Sequence, residues 1–110
     1  MARLASHVWV GAYLARLGAE GIPAHLVHKG DEMAGAVAVK LATLDGKATL
    51  FTRIYDSQGQ RAWEAQLADQ PEGEIDEAIR RQRGYDPDLW VVEVEDPRGR
   101  HLLDQMGLME

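Results

Sequence analysis

An apolar run between two proline-containing turns constrains the fold of this chain more than any other feature. Residues 90–95, Trp-Val-Val-Glu-Val-Glu, follow Pro87 and precede Pro97 and Gly99. Proline disfavours helix in the residue before it, and a second proline followed by glycine suits a tight turn. Because the residues between the turns are mainly β-branched or aromatic, the sequence predicts a strand that enters the hydrophobic core.

The composition is typical of one globular domain. A chain of 110 residues, 45% apolar and 27% charged, buries about two-thirds of its unfolded surface, so we expect a single domain over residues 1–110. Cysteine is absent, which excludes disulfides and fits a reducing compartment. No apolar segment reaches the roughly 20 residues of a membrane span. We therefore expect a soluble, cytoplasmic protein with no membrane partner.

The net charge of -6 disfavours nucleic acid as a partner, because such binding depends on cations that neutralise phosphates. The charge is also uneven. Residues 1–55 hold six Lys/Arg against four Asp/Glu, whereas residues 56–110 hold six against fourteen. This asymmetry is compatible with head-to-tail self-association or with a basic partner for the second half, but such a charge more often serves only solubility.

The first helix is predicted from apolar residues that recur at helical spacing between residues 4 and 20. Its apolar arc is wider than one packing surface needs. Either a sheet covers one side and a second helix the other, or part of the arc lies in a subunit interface. Trp9 and Tyr13 on this helix, with Trp63 on a half-exposed strand, are therefore the candidate interface residues.

Four strands are predicted next, over residues 24–29, 35–43, 47–55 and 60–67. Asp45-Gly46 indicates a hairpin between the middle two, because both residues tolerate positive φ. A second helix follows Pro71 and is capped by Gly84. The order α-β-β-β-β-α-β predicts an α+β fold, with a mainly antiparallel sheet of four to five strands and two helices packed on one face. The type of the segment 100–106 stays open.

One cluster has the composition of a metal site. His25, His28, Asp31 and Glu32 supply four possible ligands within eight residues. Residues three apart on a strand point to opposite faces, so the histidines share an ion only if the segment is helical or bulged. A solvated strand followed by a polar loop is the favoured alternative, and the loop 30–35 lacks the lysine of a phosphate-binding P-loop.

A second cluster is acidic: Asp86, Asp88, Glu93 and Glu95 surround the apolar run. Such carboxylates hold magnesium in nucleases that also use a Glu-x-Lys pair, but position 95 is glutamate where that pattern requires lysine. The favoured alternative is that the aspartates flank the proline turn, while Glu93 and Glu95 lie on the solvent face of the strand.

Several motifs carry a family resemblance, which spans nearly the whole chain. They are Val8-Trp9-Val10, Gly30-Asp31, Ala34-Gly35-Ala36-Val37, Leu44-Asp45-Gly46 and, most specifically, residues 86–96 with Gly99-Arg100-His101. In these motifs the sequence resembles the domain of unknown function 1491 family. The resemblance implies a cytoplasmic bacterial protein and supplies no catalytic residues.

The chain contains no catalytic motif of recognisable spacing, and we expect no cofactor. The first functional hypothesis is a non-catalytic interaction or regulatory module that binds another protein or forms a homodimer. The alternative is a small metal-dependent or acid–base enzyme that uses Asp31, Glu32 and a histidine, or the acids around Asp88.

Overall fold

The structure is a computed structural model that describes residues 4–105, and within this range it contains two helices and five strands. In chain order they are α1 (Ser6–Ala19), β1 (Ala24–His28), β2 (Val37–Ala42), β3 (Lys47–Tyr55), β4 (Arg61–Pro71), α2 (Glu72–Tyr85) and β5 (Trp90–Glu95). The predicted α+β class and the predicted element order are both confirmed.

The five strands form one sheet in the order β1-β5-β2-β3-β4. The pairings β1–β5, β2–β3 and β3–β4 are antiparallel, but β2 and β5 pair in parallel. The sheet is therefore mixed, because α2 carries the chain from the β4 edge across the sheet to the position between β1 and β2, where β5 begins.

The strand predicted between the proline turns is confirmed as a wall of the core. Trp90, Val92 and Val94 are 3%, 0% and 0% exposed and pack under α1. The opposite face of β5 does not face solvent as predicted. Val91 on that face is 1% exposed and packs under α2, because β5 lies inside the sheet between β1 and β2 and both of its faces are covered.

The prediction that both helices pack on one face of the sheet is wrong. Trp9 and Leu17 of α1 belong to the same core cluster as Val39 of β2. Ile75 and Ile79 of α2 belong to a second cluster, on the opposite face of the sheet. The physical reason is that the central strands carry apolar residues on both faces, so each face needs its own helix.

The hairpin between β2 and β3 is confirmed, with a longer loop than predicted. The last ladder pair is Ala42 with Ala48, and positive φ occurs at Leu44 (62°) and Gly46 (87°) rather than at Asp45. The Asp45 carboxylate instead accepts a hydrogen bond from the backbone N–H of Lys47 at 3.1 Å.

The segment after β5 forms neither helix nor strand over residues 100–105, and residue 106 lies outside the described residues. Leu102 and Leu103 belong to the core cluster under α1. The Tyr13 hydroxyl donates to the carbonyl of His101 at 2.7 Å. This segment therefore completes the core on the α1 face.

Asp96 fixes the turn after β5. Its carboxylate is buried and accepts hydrogen bonds from the backbone N–H, Nε and Nη2 of Arg100 at 2.7, 3.0 and 3.2 Å. The Arg100 guanidinium holds the pKa of Asp96 below its usual range.

We expect Asp96→Asn to destabilise the chain at neutral pH and much less in acid. The Asp96 carboxylate stabilises the fold at pH values above the pKa of Asp96 in the unfolded chain, which is about 3.9. This contribution is lost as the pH falls through the lower pKa that Asp96 has in the folded protein. Urea unfolding of both proteins at about pH 7 and about pH 2 measures the effect. A difference in unfolding free energy that is equal at both pH values would contradict the assignment.

Candidate functional site

The loop before β2 packs against the start of β5. A Cβ atom on Gly30 or Gly35 would lie 2.0 or 2.4 Å from the carbonyl oxygen of Asp88. The same oxygen accepts a hydrogen bond from the N–H of Asp31 at 3.0 Å, and the indole N–H of Trp90 donates to the carbonyl of Asp31 at 2.7 Å. Because only glycine allows this approach, the two glycines hold the loop over β5.

As a result, β3 extends beyond the start of β2. The ladder between them begins at Ala38 and Thr52, whereas β3 stays paired with β4 as far as Tyr55 and Arg61. Residues 53–55 line a cavity of about 440 Å³, together with residues 33–37 at the start of β2 and Arg61 of β4. We call this space the end cavity; its lining includes Leu4, Met33, Arg53, Ile54, Tyr55 and Arg61.

Large exposed apolar side chains concentrate at the end cavity. Leu4, Met33, Ile54 and Tyr55 are 50%, 67%, 38% and 60% exposed, and all four line it. Isolated exposed apolar residues are normal on a protein surface, but a group of them around one concavity is typical of a binding site. The end cavity is therefore the strongest candidate site in the described part of the chain.

The charged side chains that line the described part of the end cavity are Arg53 and Arg61. The guanidinium carbon of Arg53 lies 4.7 Å from the ring centroid of Trp9 and 5.1 Å from that of Trp63. Cation–π attraction to two indoles holds this guanidinium in place. Both charged residues of the described lining are thus basic, in a chain whose net charge is -6.

The two faces of the sheet divide the cavity lining into two kinds. Arg53 and Tyr55 share one face of β3, and their ladder partners on β4 are Trp63 and Arg61, so these side chains lie on the α1 face. Ile54 lies on the opposite, α2 face. Basic and aromatic side chains therefore line one side of the cavity, and apolar side chains contribute to the other.

The predicted interface residues lie beneath this surface rather than on it. Trp9 and Tyr13 are 1% and 0% exposed, because α1 packs them against the sheet and the segment after β5. The Trp9 and Trp63 ring centroids lie 5.3 Å apart, and Trp63 is half-buried against the same core. Trp9 and Trp63 contact Arg53, which lines the end cavity. The sequence did not indicate a role for Arg53.

The predicted metal cluster is not brought together. His25 is exposed on β1, whereas a bulge turns His28 so that its Nδ1 pairs with the carbonyl of Leu89 at 2.8 Å. The Asp31 carboxylate accepts backbone hydrogen bonds at the start of the loop, and Glu32 pairs with Lys29. Among residues 4–105, no three His, Asp or Glu side chains are placed to share an ion.

The acidic residues around the β5 strand also serve separate contacts. The Asp86 carboxylate accepts a hydrogen bond from the N–H of Asp88 at 3.1 Å. Glu93 lies under α2, with its carboxylate 3.7 Å from the ammonium of Lys40. Glu95 is partly buried at the end of β5. These carboxylates therefore lie at separate positions along the strand and do not share one site.

Lys40 on β2 is a buried cation that the sequence analysis did not identify. It is 4% exposed, and its ammonium donates to Glu72 and Asp76 of α2 at 2.7 Å each. Burial alone lowers the pKa of Lys40, but the hydrogen bonds to Asp76 and Glu72 and the charge of Glu93 outweigh burial and raise it. Lys40 therefore stays protonated and ties α2 to the sheet.

The comparisons with known proteins agree with this fold. A family model described as "Protein of unknown function (DUF1491)" matches residues 4–104. The chain belongs to this family. The resemblance noted in the sequence is confirmed, and no curated protein matches the chain.

Solved structures show the same architecture. A crystal structure and an NMR structure of a DUF1491 family protein from Caulobacter crescentus CB15 are 38% and 37% identical to the chain, with TM-scores of 0.85 and 0.82. They cover 93% and 94% of this chain, and the matches span 96% of each of their own. A solution structure of an A. tumefaciens protein is 33% identical, has a TM-score of 0.75 and covers 98% of this chain and 92% of its own.

Neither α1 nor α2 is long and apolar enough to cross a membrane.

We expect Lys40→Met to lower the free energy of unfolding by about 1–3 kcal/mol near pH 8, less than for a fully enclosed pair because Glu72 and Asp76 are partly exposed. Because the pKa of Lys40 is raised in the folded protein, its ion pairs stabilise the fold at pH values below the pKa of lysine in the unfolded chain, about 10.4. This stabilisation is lost as the pH rises through the pKa of Lys40 in the folded protein. Urea unfolding at about pH 8 and about pH 11 compares the two proteins. If the free energy of unfolding fell by the same amount between these pH values in the parent and in Lys40→Met, the assignment would be contradicted.

We expect Gly35→Ala to lower the free energy of unfolding by about 1–3 kcal/mol, because the new methyl group overlaps the Asp88 carbonyl. Gly11→Ala is the matched control. It lies within α1 with no other atom near its Cβ position, so alanine should stabilise the chain by about 0.5–1 kcal/mol. Thermal and urea unfolding measure both variants, and a Gly35→Ala protein as stable as the parent would refute the close approach.

Proposed function

We propose that this protein is a non-catalytic interaction module that binds a segment of a partner protein in the end cavity. The observation that carries the proposal is that four large exposed apolar side chains line a single concavity of about 440 Å³. Burial of such a group against a partner removes apolar surface from water, which is the main favourable term in protein association.

The contact of Arg53 with the Trp9 and Trp63 rings supports the same function. Arg53, stacked on Trp9 and Trp63, is held in place before any partner arrives. A side chain that is already ordered loses less conformational entropy when it binds. Arginine and large aromatic residues are also the side chains that contribute most often to binding hot spots.

The hypothesis of a metal-dependent or acid–base enzyme has less support. The side chains proposed for it, Asp31, Glu32 and His28, are engaged in separate contacts. Lys40, the one buried titratable cation of the sheet among the described residues, is kept protonated by its carboxylates, and a protonated ammonium is neither a nucleophile nor a general base.

A cytoplasmic location is part of the proposal. It is supported by the absence of cysteine from the sequence, which is typical of proteins that need no oxidising compartment.

We expect Tyr55→Asp to abolish partner binding, because it replaces one of the four large exposed apolar side chains of the cavity with a carboxylate, which loses its hydration when a partner covers it. Immobilised full-length protein is incubated with extract of its source cells, and bound proteins are quantified. The variant should lose at least tenfold of the proteins that the parent retains. If the partner is a second copy of the chain, light scattering should show a dimer that Tyr55→Asp converts to a monomer.

Tyr85→Asp is the matched control, since Tyr85 is 90% exposed and does not line the end cavity. It should bind the same proteins as the parent. Circular dichroism establishes that both variants are folded. Equal binding by Tyr55→Asp and Tyr85→Asp, or a monomer that retains no protein, would refute the proposed function.

A further inference from the structure

We infer that His101 is a pH-sensitive latch, which in its neutral form holds residues 101–105 against the core and in its protonated form releases them. We call residues 101–105 the closing segment. The inference goes beyond the proposed function and is independent of it, because the described lining of the end cavity contains no residue of this segment.

The hydrogen bond at the His101 ring provides the first argument. The backbone N–H of Leu103 donates to Nδ1 of His101 at 3.0 Å. An amide N–H only donates, so Nδ1 carries no hydrogen, and the ring is neutral with its hydrogen on Nε2. A protonated ring has an N–H donor at both nitrogens. Protonation therefore places two donors against each other and breaks this contact.

The surroundings of the ring provide the second argument. The His101 ring packs against Phe51 of β3, with ring centroids 4.6 Å apart. Val39 and Ala65, the ladder partners of Phe51 on β2 and β4, are apolar. Burial lowers the pKa of His101 and outweighs the charge of Asp104, which raises it. The closed segment therefore accommodates the neutral ring better than the charged one.

The backbone of the closing segment provides the third argument. Leu102 has a φ of 61°, in the left-handed region that favours glycine and costs other residues strain. Such a conformation persists only while the contacts around it hold it in place. Here Leu102 and Leu103 are buried in the core cluster on the α1 face. The turn therefore depends on the contacts of the closing segment, and the loss of the His101 hydrogen bond favours its release.

The elements packed against the closing segment bring further polar and charged groups. From α1, the Tyr13 hydroxyl donates to the carbonyl of His101 at 2.7 Å, and burial raises the pKa of Tyr13, so this group stays neutral. Arg16 of α1 donates to the side chain of Gln105 at 2.6 Å. From β3, the guanidinium of Arg53 lies over two indole rings. These groups support the closed segment and do not depend on the charge of His101.

The charged groups on the segment itself are Arg100, at its start, and Asp104. Arg100 binds the carboxylate of Asp96, and the charge of Glu20 also acts on Arg100. This ion pair anchors the chain directly before His101. Among the described residues, Asp104 is the charge that opposes the effect of burial on the ring. The release therefore begins after Arg100 and is controlled by the His101 ring.

The pH dependence has a definite sign. The pKa of histidine in an unfolded chain is about 6.5, and the pKa of His101 in the folded protein is lower. Neutral His101 therefore stabilises the closed segment fully above about pH 6.5. This stabilisation is lost as the pH falls through the lower pKa that His101 has in the folded protein. Release removes Leu102 and Leu103 from the core and so exposes apolar surface in acid.

The test follows amide hydrogen exchange of the ¹⁵N-labelled full-length protein by NMR at about pH 7.5 and about pH 5. We expect the protection of the Leu103 amide, corrected for the intrinsic exchange rate, to fall about tenfold at the lower pH. The amide of the buried β5 residue Val92 should keep its protection, because the opening is local. Equal losses at Leu103 and Val92 would indicate unfolding of the whole chain and overturn the inference, as would unchanged protection at Leu103.

Variants test the ring directly. His101→Asn keeps an acceptor oxygen near the position of Nδ1 but is not protonated in this range, so its Leu103 protection should be the same at both pH values. His25→Asn is the matched control, because His25 is exposed on β1, and should keep the pH dependence of the parent. Circular dichroism establishes that both variants are folded. A pH dependence that persists in His101→Asn, or that is lost in His25→Asn, would refute the latch.

The ring nitrogens of the parent provide a measurement that needs no variant. Their ¹⁵N chemical shifts distinguish a nitrogen that carries a hydrogen from one that does not. At neutral pH we expect a bare Nδ1 and a protonated Nε2, and conversion to the doubly protonated ring with the same midpoint as the loss of Leu103 protection. A hydrogen on Nδ1 at neutral pH, or midpoints more than about one pH unit apart, would overturn the inference.

Discussion

The contact of Gly30 and Gly35 with the carbonyl of Asp88 is the constraint on which the surface of this protein depends. It holds the loop before β2 over the start of β5, at a distance that no larger residue permits. β2 therefore starts late, and β3 runs past it. The end cavity lies where this loop, the end of β3 and Arg61 of β4 meet.

The rest of the fold gives the cavity a fixed frame. β5 lies inside the sheet between β1 and β2, and α1 covers one face of the sheet while α2 covers the other. On the α2 face, Lys40 replaces part of the apolar packing with ion pairs to Glu72 and Asp76. On the α1 face, two indoles hold Arg53. A site built on such supported elements loses little entropy on binding.

Sequence reasoning predicted the local elements well, because their signals are local. The apolar run around Trp90 and the Asp45-Gly46 turn each occur within a few consecutive residues, and both were confirmed as strand and hairpin. The parallel β2–β5 pairing and the helix on each face depend on how the chain crosses the sheet. No short pattern encodes that path.

The candidate site was missed for the same reason. Lys40 receives its carboxylates from residues 32 or more positions away, and Arg53 and Arg61 look like ordinary strand arginines until the ladder register brings them together. One signal was present in the sequence. The glycines at both ends of the 30–35 segment were interpreted as a simple connection, although such a pair also indicates a close approach of two backbones.

A structure of the protein bound to the partner that it retains from extract tests the central claim most directly. The account predicts that the partner covers Met33, Ile54 and Tyr55 at the end cavity. A partner bound along the outer edge of β1 or β4, with the end cavity uncovered, would contradict it.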